Sequence, residues 1–63
     1  MIEVTRLNGK KFILNAEKIR LIEEVPDTTI TLTGGQKYLV QEKATEIVKK
    51  AVEYGRMIRT FAS

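Results

Sequence analysis

The side chains suited to chemistry are few. The chain has no cysteine and no histidine. Thiol nucleophiles, thiolate metal sites, disulfide staples and imidazole proton transfer are therefore all excluded. Eight carboxylates, eleven Lys and Arg and two Tyr are what remain. A carboxylate pair does acid–base work only when both groups face one site. Glu23 and Glu24 are neighbours in an extended stretch, so they point to opposite faces. Asp27 lies in Pro26-Asp27-Thr28, a turn in which its oxygens are suited to bonding nearby backbone. Thr33-Gly34-Gly35-Gln36 is a glycine pair between strands, not the longer glycine pattern that opens a helix around phosphate. The residues predict no catalytic, cofactor or metal site, and the chain reads as a non-enzyme.

Nucleic acid is the chemical alternative. The formal charge is +3 and the isoelectric point is about 9.5, an electrostatic footprint of the kind that attracts phosphate. The charge is spread out, however. Residues 1–41 hold six basic and five acidic groups, and residues 42–63 hold five and three. Phe12, Tyr38, Tyr54 and Phe61 all fall on apolar faces, which leaves no platform for stacking bases. Nucleic-acid binding is not expected.

The elements that carry these residues follow from periodicity. Ile2 and Val4 alternate with Glu3 and Thr5. Asn8-Gly9 then predicts a tight type I′ turn, and Lys10 to Leu14 returns with Phe12 and Leu14 inward. Asn15 suits a cap on a single helical turn. Ile19 to Val25 reads as a third strand, with Ile19 and Leu21 on one face and Ile22 on the other. Thr29 to Thr33 is a fourth, with Ile30 and Leu32 inward. Gly34-Gly35 turns into a fifth, Gln36 to Val40, with Tyr38 and Val40 inward. From Lys43 the period becomes 3.6. Ala44, Ile47, Val48, Ala51, Tyr54, Gly55, Ile58, Phe61 and Ala62 share an arc of roughly 140° at about 100° per residue. Close approach to the sheet accounts for Gly55 on that arc. The expected fold is α+β: a small five-stranded, mostly antiparallel bent sheet with one C-terminal amphipathic helix, in a single domain over residues 1–63.

Sixty-three residues bury only about 60% of the surface that the unfolded chain exposes, so a domain of this size gains from a partner. The apolar surplus points the same way. Val52 and Met57 lie off the inward arc, Phe61 lies on its shoulder, and Ile13, Ile22 and Leu39 fall opposite the core positions. Val52, Arg56, Met57 and Phe61 are the candidate partner-binding residues, and a homo-oligomer is expected. Met1-Ile2-Glu3-Val4 carries neither a basic leader nor an apolar export core, and no run approaches the roughly 20 apolar residues of a spanning helix. The expected location is the cytoplasm, with no membrane insertion.

Read end to end, the chain resembles the small flagellar proteins called FlbD or, in swarming bacilli, SwrD. The resemblance is carried by Ile2-Glu3-Val4-Thr5-Arg6-Leu7-Asn8-Gly9 and Phe12-Ile13-Leu14-Asn15. It continues through the segment from Ile22 to Leu32, with Pro26-Asp27-Thr28 at its centre, then Gly35-Gln36-Lys37-Tyr38-Leu39-Val40, Glu46-Ile47-Val48 and Glu53-Tyr54. Gly34-Gly35 stands where Asn-Gly is more familiar, and Lys43 stands where a Ser often caps the helix. Lys cannot accept a bond from the first free amides, which predicts a softer helix start. The resemblance implies a motility accessory protein, cytoplasmic or peripheral to the inner membrane near the flagellar base. It implies support of flagellar motor output through binding to motor or stator proteins. It brings no catalytic residues and no cofactor. The alternative is a small β-rich RNA-binding regulator of flagellar gene expression, a likeness of architecture alone.

Overall fold

The strands and the helix form where the periodicity predicts them. A computed structural model describes the backbone of residues 1–62 and the side chains of residues 1–56. The elements are β1 (Ile2–Thr5), β2 (Lys11–Leu14), a 3-10 turn (Ala16–Lys18), β3 (Ile19–Glu24), β4 (Thr28–Leu32), β5 (Lys37–Val40) and α1 (Ala44–Ala62). Asn15 does cap the 3-10 turn: its side chain accepts the Glu17 amide at 3.0 Å. All strand pairs are antiparallel. The expected single sheet is instead two, β1-β2 and β3-β4-β5. They are joined by one bridge between Arg6 and Val40. Arg6 lies just beyond the end of β1, so no residue of that strand itself pairs with β5.

Both tight hairpin turns share one plan, and it is not type I′. The Gly9 amide donates to Arg6 O at 2.9 Å and the Arg6 amide to Lys10 O at 2.8 Å; the Gly35 amide donates to Leu32 O at 2.9 Å and the Leu32 amide to Gln36 O at 2.8 Å. Each loop therefore has three residues. Gly9 and Gly35 sit at φ of 90°, and among the described residues no other has positive φ. A type I′ turn needs two successive positive values, so Asn8 and Gly34 do not form one. Asn8 is held instead by its own side chain, which accepts the Lys10 amide at 3.0 Å.

The core is Ile2, Val4, Leu14, Ile30, Val40 and Ile47, with Phe12, Ile19, Ile22, Leu32 and Tyr54 packed around it. β3 departs from the expected facing. Ile19 pairs with Leu32 but Leu21 pairs with Thr31, so Arg20 is an extra residue on this strand. Such a bulge reverses the alternation. Ile22 is thereby turned onto the core, and Leu21 is turned out to solvent.

The helix is rolled relative to its apolar arc. Among the described helix residues Ile47 alone is fully buried, while Val48, expected inward, is 50% exposed. Lys50 lies on the Ile47–Tyr54 side and donates from Nζ to Glu3 O at 2.7 Å. The small sheet thus accepts only part of a wide apolar arc, with Ile47 at its centre.

Gly55 does not lie close against the sheet: a Cβ built there meets nothing within 4 Å. Gly55→Ala should therefore stabilise the fold by up to about 1 kcal/mol, the helix-propensity difference. Gly9→Ala, at positive φ, should destabilise it by about 1 kcal/mol. Thermal denaturation of the two variants checks both signs.

Candidate functional site

The joint between the sheets is held by Gln41 and Glu42, and Glu24 holds the start of the helix. The Thr5 amide and hydroxyl donate to the two carboxylate oxygens of Glu42 at 2.9 and 2.8 Å. The Gln41 amide donates to Thr5 O at 2.8 Å. Burial pushes the Glu42 carboxyl upward. The bonds from Thr5, its own backbone amide and the charge of Lys50 outweigh burial and hold it below the ordinary range. Glu24, at the end of β3, accepts the Ala44 amide at 2.8 Å. The cap that Lys43 cannot supply thus arrives from a distant strand, while Lys43 O accepts the amides of Glu46 and Ile47 at 2.9 and 3.2 Å. A cleft of about 470 Å³ beside the joint is lined partly by Glu24 and Gln41. Both side chains already hold internal bonds, so this cleft is built from structural groups.

Two aromatic side chains are also occupied. Phe12 and Tyr38 have ring centroids 5.3 Å apart. The Arg6 guanidinium carbon lies 4.3 Å from the centroid of Phe12 and 5.3 Å from that of Tyr38. This stack closes the turn end of the hairpin against the meander.

The apolar surplus lies on two separate surfaces. On α1, Val52 is 44% exposed beside Val48, and Arg56 is exposed. The side chains of Met57 and Phe61, also candidates, lie outside the described residues. Val48 was missed by sequence reasoning because the apolar arc included it; its spacing of four from Val52 was the available signal. On the outer face of the meander Leu21 and Leu39 are exposed, and Ile13 is exposed on β2. Leu39 and Ile13 agree with expectation, whereas Leu21 takes the place of Ile22. Thr31 lies on this outer face beside Leu21, only 5% exposed. The helix packs on the other side of the sheets, so the structure does not bring the helix candidates and the outer sheet residues together.

Among the described residues no helix is long and apolar enough to cross a membrane. No curated protein and no solved structure shows significant similarity to the chain. One family model does match: FlbD, flagellar and swarming motility proteins, over residues 1–59. That match covers nearly all of the two hairpins and the helix just described, and the chain therefore belongs to the FlbD family of flagellar and swarming motility proteins.

Proposed function

We propose that this protein serves motility by docking and not by catalysis. It is a cytoplasmic accessory factor that supports flagellar motor output, with motor or stator proteins as its partner class and the inner membrane at the flagellar base as its place of work. The observation that carries this reading is the exposed Val48–Val52 row on a helix whose core side is already seated. Two β-branched residues at that spacing form a rigid ridge for another protein. Val52 and Arg56 are the described binding candidates; the side chains of Met57 and Phe61, also candidates, lie outside the described residues. RNA binding is the weaker reading, because Arg6 occupies a ring face of Phe12 that a base would need.

Val52→Asp tests the proposal. Val52 is half-exposed, so the substitution should change stability by no more than about 1 kcal/mol. In a strain lacking the native copy it should nevertheless abolish swarming and reduce the torque of tethered cells. Normal swarming by the folded variant would refute the helix as the docking surface.

A further inference from the structure

The exposed side of α1 is chemically ordered from core to solvent. Placed at about 100° per residue, Ala44, Ala51 and Gly55 border the core side of the Val48–Val52 row, Lys49 and Arg56 border its solvent side, and Glu46 and Glu53 lie one row further out. Lys49, Glu46, Glu53 and Arg56 are all exposed. The glycine adds a second observation. Among the described residues, apart from the helix's own nearby backbone, nothing lies within 4 Å of a Cβ at Gly55, so the helix backbone beside Val52 is left open by them to close approach.

This order discriminates between occupants. Two copies meeting antiparallel through the Val row would set Lys49 and Arg56 of one against the same residues of the other. Meeting in parallel, they would set those bases against the partner's alanines, which offer them no charge. Like charges at a flanking position oppose pairing, and the net charge of +3 adds to the repulsion. An acidic partner has the complementary sign. Resting on the docking reading above, we infer that the Val48–Val52 row receives an amphipathic helix of another protein. Its apolar residues recur every three or four positions, its flanks carry Asp and Glu, and its backbone approaches closely over Gly55.

The test uses the purified full chain and two labelled three-heptad peptides with Leu at the core positions, one flanked by Glu and the other by Lys. Fluorescence anisotropy should show the acidic peptide binding at least about tenfold more tightly, with the preference shrinking at high salt. Lys49→Glu should erase or reverse the preference. Gly55→Leu should weaken the acidic peptide while circular dichroism shows the fold intact, since the space is open and Leu favours helix. Equal affinities, or no binding of either peptide, would overturn the inference. So would binding only to phosphatidylglycerol vesicles, which would make the surface a membrane contact. A dimer in sedimentation that Val52→Asp dissolves would assign the row to a second copy. Loss of swarming by Val52→Asp without any peptide preference would remove the acidic helix and leave the docking reading standing.

Discussion

Ile47→Ala should unfold the protein. Ile47 is 0% exposed and is the single fully buried anchor among the described helix residues. It packs in one cluster with Ile2, Val4, Leu14, Ile30 and Val40. Removing three carbons from such a site costs about 2–5 kcal/mol in lost transfer energy and residual cavity. A domain this small has only about 5 kcal/mol in total, at the low end for folded proteins. The helix is also the lid on both sheets, so neighbouring side chains cannot close the gap without moving it. Urea denaturation followed by circular dichroism should show no native baseline for Ile47→Ala, whereas Val52→Ala, at a half-exposed site, should retain one. A loss below about 1 kcal/mol for Ile47→Ala would show that the sheets hold together without the helix.

Glu42→Gln is the second large effect, and it carries a pH signature. The carboxylate accepts two bonds from Thr5, one from the amide and one from the hydroxyl. A Gln side chain keeps one acceptor oxygen and sets an NH2 group against a donor. The expected loss is about 1–2 kcal/mol, reduced from the buried charged-bond figure because water reaches the site. In the folded state the Glu42 carboxyl titrates below the ordinary 4.5. Its contribution is therefore complete above that value and is lost as the pH falls through the lower, folded-state value. Stability measured from pH 7 downward should decline in this acid range, and Glu42→Gln should remove the Glu42 part of that decline. An identical acid profile for the two proteins would mean that the Thr5 bonds contribute nothing to the joint.

The legible parts of the fold were those governed by neighbours in sequence. Asn8-Gly9 and Gly34-Gly35 marked both hairpins, and Ile2, Val4, Phe12 and Leu14 fell inward as their alternation implies. The bulge at Arg20 was not legible, because one inserted residue reverses a strand's phase without any residue type announcing it. The roll of α1 was hidden for another reason. Its apolar arc is wider than the face a small sheet can cover, and the contacts that seat one part of it, such as Lys50 on Glu3 O, come from 47 residues away in the chain. Val52 was legible as a surface residue and Val48 was not. The cap by Glu24 comes from 20 residues upstream. Only its local absence, Lys43 in a capping position, could be seen.

The joint has a consequence for how the chain assembles. Both hairpins close through residues near in sequence, whereas the side-chain bonds across the joint span 34 and 37 residues. Short loops close at low entropic cost and long ones later. The hairpin and the meander should therefore form first as separate units, with the pairing of Thr5 with Gln41 and Glu42 as the later step that commits them to each other. Until that step, Ile2 and Val4 on one unit and Ile30 and Val40 on the other stand bare to water, which makes the half-assembled chain the species most exposed to aggregation.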